Sequence, residues 1–231
     1  MNDLLHGYGP MVAGGVGVTL RIAVGSLAMA CVFGLIGALA RLSASRIARV
    51  LAQVYTTVVR GLPELVLMLA VFYGGQYLVN LATQAAGWPD LDIPPATAGT
   101  LTIGFIFGAY LAETFRGAFL AIPRGQAEAA RAFGYPPARI LLHVTLPQMV
   151  RHAIPGFANT WLVMVKATAL VSLIGLDDMI HRASLAAAST REPFTFYLLT
   201  AVIYLAITSV SIVALRALET RFSLGVRRLD F

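Results

Sequence analysis

Charge is scarce in this chain: 12% of its 231 residues are Asp, Glu, Lys or Arg, against 58% hydrophobic. A soluble domain of that make-up would have too little polar surface to cover its core, so that class is excluded. Cysteine is nearly missing as well, because Cys31 stands alone in an apolar run. One thiol allows no intrachain disulfide and no metal cluster, and it does not fix the redox compartment. Lysine occurs once, at Lys166 after Val165, so the Gly-Lys-Ser/Thr ending of a nucleotide-binding loop is absent. His-Glu-x-x-His and Gly-x-Ser-x-Gly are absent too, and His143 and His152 are not spaced as a metal pair on one helix. No catalytic, metal or cofactor site is expected in this chain. Lys and Arg are missing from Met1 to Pro10, which contains Asp3, so Ala28-Met29-Ala30 is not expected to end a cleaved signal peptide.

What the chain does have is long apolar runs. Five of them, about Val12 to Leu39, Leu65 to Ala82, Ala98 to Leu120, Ile154 to Leu176 and Phe194 to Leu215, are long enough to cross a bilayer. An all-α membrane protein with five transmembrane helices follows, forming one domain over 1–231. Repeated glycines in the first run, among them Gly14, Gly15, Gly25, Gly34 and Gly37, offer small surfaces for close helix contact. The net charge of +6 does not point to nucleic acid, since the arginines fall in short loops between apolar runs. With Arg41, Arg46, Arg49 and Arg60 after the first run and Arg216, Arg221, Arg227 and Arg228 after the fifth, the N-terminus is expected outside and the C-terminus inside. The segment Gly87 to Thr97, proline-rich and without Lys or Arg, then lies outside, as does the Asp177, Asp178, His181, Arg182 stretch, which is expected to be solvated. An odd number of spans and no internal repeat argue against the inverted-repeat plan of many secondary carriers.

Ionisable groups inside an apolar run are costly and mark candidate function. Glu113 lies deep in the third run with Arg116 at i+3 on the same helix face. Two readings stand for it: a local ion pair, or a carboxylate facing a translocation path for a cationic substrate, with Glu64 as a second one. Lys166 needs a partner, for which Glu113 is the candidate, with Thr168 and Ser172 available for hydrogen bonds across helices. Arg21 marks either an aqueous helix end or an ion pair.

The most organised polar stretch is the loop of about 121–151. Gln126 to Phe133 is Ala-rich with Glu128 in its first turn, which favours a short helix. Gly134 suits a left-handed closure and Pro136-Pro137 forbid continuation. From Ala138 to Val150 apolar and polar residues alternate as in a helix lying at a membrane surface. Glu128-Ala129-Ala130, Gly134 six positions after the Glu, and then Val144, Leu146 and Pro147 resemble the signature loop of membrane subunits of ATP-driven (ABC) importers. Only Val144 departs from that pattern, conservatively. The resemblance implies that this loop is the coupling helix seated in a cleft of an ATPase subunit.

Three further segments narrow the resemblance. Arg60 to Leu69, Gly108 to Ala118 and Lys166 to Leu173 are similar to motifs of polar amino-acid permeases, and with Glu219 to Phe231 they cover nearly the whole chain. The pattern is nearest to the Q-type membrane subunits of importers for histidine, lysine, arginine and ornithine, a group that includes opine permeases. This implies a multi-pass subunit of the bacterial inner membrane importing polar, basic amino acids; an opine or another polar amino acid is the alternative cargo. It implies as partners a second permease chain, two ATPase subunits that bind ATP and Mg, a periplasmic substrate-binding protein and the lipid bilayer. A rival class, the ion-driven carrier, would need no ATPase.

Overall fold

The structure, a computed structural model, describes residues 7–222. The described residues form helices and connecting turns, without strands. Helix α1 (Gly9–Leu42) starts with Pro10 in its first turn, where the missing N–H is not needed. It is followed by α2 (Arg46–Gly61), α3 (Glu64–Ala85), α4 (Pro95–Leu120) and the short α5 (Arg124–Ala132). Helix α6 (Pro137–Ile140) passes through a π turn (Leu141–Thr145) into α7 (Leu146–Ala167) and a 3₁₀ segment (Thr168–Ile174). The chain ends its described part with α8 (Met179–Thr190) and α9 (Pro193–Phe222). Five helical stretches are long and apolar enough to cross a membrane: α1, α3, α4, the run Pro137–Ile174 and α9. Asp3, Arg227, Arg228 and the rest of the tail beyond Phe222 lie outside the described residues.

Helix α4 is the mast of the bundle, and small residues let its neighbours reach it. Against α1, a Cβ on Gly104 would come within 2.5 Å of the Met29 Cβ, and one on Gly108 within 2.5 Å of the Phe33 Cβ. The fit is reciprocal, since a Cβ on Gly34 would meet the Leu111 Cβ at 2.7 Å. Such close backbones gain dispersion contact and weak polar contact, which must replace the hydrophobic effect between helices inside lipid. Ser26 adds a hydrogen bond across the seam, its Oγ donating to the Thr100 carbonyl at 3.2 Å. On the other flanks Gly99 abuts Val171 and Gly156 of α7 abuts Thr114. Phe107, Leu111, Ile103 and Ala112 of α4 are consequently buried, whereas α3 and α9 each fully bury only two residues.

Two elements differ from the sequence expectation. The segment between the first two spans is a full helix, α2, capped by Ser45, whose hydroxyl accepts from the Ala48 N–H. It has three faces: Ala52, Thr56 and Val59 are buried; Ile47, Val50, Leu51, Val54 and Val58 are exposed and apolar; Arg46, Arg49, Gln53, Thr57 and Arg60 are polar. Secondly, the surface helix expected over 138–150 is not separate. The chain runs from Pro137 into α7 as one helical rod with Ile140 and Met149 buried. Its π turn has a local cause, because Pro147 has no N–H to give the preceding turn and its ring crowds the carbonyl four residues back. The Leu146 N–H reaches the Leu141 carbonyl instead.

Candidate functional site: the α5 hairpin and the charged groups of the bundle

Helix α5 buries none of its residues. Its closure is a complete two-bond C-cap: the Gly134 N–H donates to the Arg131 carbonyl at 2.9 Å and the Tyr135 N–H to the Ala130 carbonyl at 3.1 Å. Gly134 sits at φ +77, a left-handed conformation that glycine adopts without strain. Pro136 then caps α6 and Pro137 opens it. Glu128 and Ala129 are exposed and Ala130 is half-buried, while Phe133, 84% exposed, projects from the end of the helix. Leu146 and Pro147 lie at the start of α7, where Gln148 Nε2 donates to Gln126 Oε1 at 3.1 Å and ties the hairpin to the rod. The predicted hairpin residues are thus gathered on one protrusion joined to α4 through Ala121–Pro123 and to α7 through the π turn.

Of the two readings of Glu113, the local ion pair with Arg116 is present, while the expected pairing with Lys166 is not. Glu113 accepts from Arg116 Nε at 2.9 Å and Nη2 at 2.7 Å, and Arg41 Nη2 lies 3.6 Å from its other oxygen. Lys166 is not its partner. It is exposed along a groove of 620 Å3 between α7 and α9, also lined by Tyr197, Thr200, Tyr204 and Thr208, and has no ion pair among the described residues. Arg21 makes no ion pair either among the described residues; its Nε donates to the Gly17 carbonyl. Glu64 opens α3 half-buried.

Thr168 and Ser172 lead to a group that the sequence reading left in solvent. Asp178 is 1% exposed and caps α8, its Oδ1 accepting from the His181 N–H at 2.9 Å. Its Oδ2 is buried without a hydrogen-bond partner; the Ser172 hydroxyl is near enough to favour the charge without meeting bonding geometry. Desolvation pushes the Asp178 carboxyl above the usual range despite the two backbone N–H groups that favour its charge. Nearby, Thr19 Oγ1 accepts from the Met179 N–H at 3.4 Å and Thr168 Oγ1 lies 3.5 Å from the Tyr204 hydroxyl. Adjacent Asp177 is exposed, and its bidentate hydrogen bonds from Arg182 at 3.0 and 2.8 Å hold it below the usual carboxylate range. No signal in the sequence separates these two aspartates, because burial of the second depends on Gly15 of α1 lying against the Asp178–Met179 backbone. Among the described residues no group of His, Cys, Asp and Glu could hold a metal ion.

Residues 30–224 match the family model for binding-protein-dependent transport system inner membrane components. The chain belongs to that family. As an inner membrane component with five apolar helices it is a multi-pass protein of the inner membrane. It is 47% identical over 227 residues to the histidine/lysine/arginine/ornithine transport system permease protein HisQ of Escherichia coli (strain K12), covering 98% of this chain and 100% of the relative. It is 41% identical to the arginine ABC transporter permease protein ArtQ of Haemophilus influenzae, over 91% of this chain and 94% of that one. Among solved structures it resembles a chain of an amino acid ABC transporter with histidines, at 30% identity and a TM-score of 0.78, covering 93% of this chain and 95% of that chain. This family member therefore shares its fold with that transporter chain over 93% of its length.

Proposed function

We propose that the chain is a permease subunit of an ATP-driven importer of polar, basic amino acids, with its N-terminus outside and its C-terminus inside. The observation that carries this reading is the full-length relatedness to permeases for histidine, lysine, arginine and ornithine and for arginine. A second permease chain, two ATPase subunits that bind ATP and Mg, and a periplasmic binding protein complete the assembly; this chain supplies no covalent chemistry. Glu128, Ala129 and Ala130 on α5 form the surface that the ATPase grips, and Gly134, Leu146 and Pro147 set how that surface is joined to the rod. Support comes from the exposure of α5 and Phe133 and from its two tethers, since a displacement of the hairpin must move the ends of α4 and α7 together. Lys166, exposed along the groove between α7 and α9, and the half-buried Glu64 and Ser172 are assigned to the translocation path; Thr168, buried, and Glu113, paired with Arg116 and Arg41, act on it through their neighbours.

The test is uptake by proteoliposomes holding the complete complex and supplied with binding protein. ATP enclosed with the ATPases should drive accumulation of labelled arginine, lysine or histidine, and ionophores should leave it unchanged. Accumulation that follows an ion gradient without ATP would overturn the reading.

A further inference from the structure

Lys166 is the one lysine of the chain and the one charged side chain between His152 and Asp177, in a stretch that otherwise reads as a span. An ammonium in the hydrocarbon layer is costly, and a partner is what keeps it there. None is supplied from within. No ion pair or hydrogen bond reaches Lys166 among the described residues, Glu113 is taken by Arg116 and Arg41, and Asp178 is buried as the cap of α8. The lysine stands open to the groove of 620 Å3 between α7 and α9, and among the described residues it is the only charged one on that wall.

What fills the groove follows from the two sides of α9. Tyr197, Thr200, Tyr204 and Thr208 recur at helical spacing along the groove. Leu198, Val202, Val210 and Val213, on the far side of the same helix, are 50–70% exposed. The far side suits acyl chains. The groove side carries hydroxyls and an ammonium beside apolar Leu162, Ile180 and Ile212, a mixture that lipid tails leave half met. The two threonines ask for nothing more, since Thr200 donates to the Tyr197 carbonyl at 2.8 Å and Thr208 to the Tyr204 carbonyl at 2.6 Å. The unmet demand is one negative charge within an apolar contact, which a protein surface can bring. We infer that a second permease chain covers this groove and places a carboxylate on Lys166, so that an ion pair joins the two permeases. The inference rests on the import reading above and adds which face of this chain the second permease takes and the charge it must carry there. A path running between the two chains is bordered by the same lysine. Because a partner without the carboxylate would leave the ammonium stranded, the pair also selects the right second chain.

A chain with a single lysine can be tested by zero-length coupling. The complete complex in nanodiscs is treated with dicyclohexylcarbodiimide, which joins a carboxylate to an amine in contact with it: an amide bond forms, and the reagent leaves as its urea with the carboxyl oxygen. Peptide mass spectrometry should find Lys166 bonded to an Asp or Glu of the second permease. Lys166→Arg keeps the charge but cannot be coupled, so this variant should assemble and lose that cross-link. Lys166→Met should lower the amount of second permease that co-purifies with this chain by about tenfold, the effect of leaving the facing carboxylate unpaired. The cross-link is read on the wild type, so it decides even where Lys166→Met is not recovered. A wild-type complex that contains both permeases but yields no such cross-link overturns the inference, as does a Lys166→Met chain that retains its second permease in full. Coupling of Lys166 only to added free arginine overturns it too and leaves the lysine to the substrate. In each of those cases ATP-driven arginine uptake by the same preparation leaves the import reading standing; a wild type with both permeases and no amino-acid uptake removes that reading, while the cross-link still decides the interface.

Discussion

The seam between α1 and α4 and the hairpin around α5 are both built from glycine and alanine, put to opposite uses. In the seam, missing side chains are spent on contact: Gly34, Gly104 and Gly108 let two helices touch until no room for a methyl group is left. In the hairpin, small residues leave a surface bare, since α5 buries nothing and no atom lies within 4 Å of where a Gly134 Cβ would stand. Gly134 is there for its backbone angle, not for space. A small residue is therefore uninformative until one knows whether it faces a neighbour or a turn.

The largest expected effect breaks the seam. Gly104→Leu drives its side chain into Met29 and the Ser26 carbonyl, and overpacking of this kind costs about 3 kcal/mol. The measurement is the yield of monodisperse protein and its thermal unfolding in detergent; an unchanged melting temperature would show that the seam can open. Gly134→Val is the counterpart on the hairpin. A β-branched residue forced into the left-handed region costs about 1–2 kcal/mol, confined to the C-cap. The bundle should melt as the wild type does, while ATP hydrolysis by the assembled complex continues and amino-acid uptake falls. Equal loss of both activities would mean that the hairpin is needed for assembly rather than for transmission.

Asp178 sharpens the comparison at another close contact of α1, where α8 meets it. Asp178→Ala removes the cap and should cost about 1 kcal/mol, whereas Asp178→Asn keeps an acceptor for the His181 N–H and removes the buried charge. The sign of the pH effect follows from the raised carboxyl. The folded state holds the proton more firmly than the unfolded chain, so the stability Asp178 contributes is present at acid pH and is lost as pH rises through its raised folded value. The melting advantage of Asp178→Asn over wild type should accordingly grow between acid and neutral pH. Asp177, held low by Arg182, acts with the opposite sign: its contribution is present above the ordinary aspartate range and is lost as pH falls through its lowered folded value. Being exposed, it should move the melting curve least, and Asp177→Asn should be nearly silent.

Local chemistry was legible in the sequence where local chemistry decides. Gly134 and Pro136-Pro137 end α5 as expected, because a C-cap is a matter of five consecutive residues. The spans were legible because length and apolarity suffice for them, although α1 and α9 run several residues beyond the apolar limits. What could not be read needed partners far along the chain. Glu113 has the Arg116 that its own helix spacing offers, but it also meets Arg41 at the end of α1, and Asp178 is buried because Gly15 lets α1 close over it. The helix α2 escaped a search for long apolar runs for another reason: its apolar and polar residues alternate at helical spacing, the two-sided pattern of a surface helix, so no stretch of it is uniformly apolar.

Pro155 divides the rod from Pro137 to Ile174 almost in half, with eighteen residues before it and nineteen after. At a rise of 1.5 Å per residue each arm is about 27 Å long, and a proline inside a helix is where such a rod bends or rocks most cheaply. A lever with its fulcrum at the centre returns at one end what it receives at the other, in the reverse direction. Where the rod rocks there without bending, a tilt of about 10° carries its two tips roughly 5 Å in opposite directions.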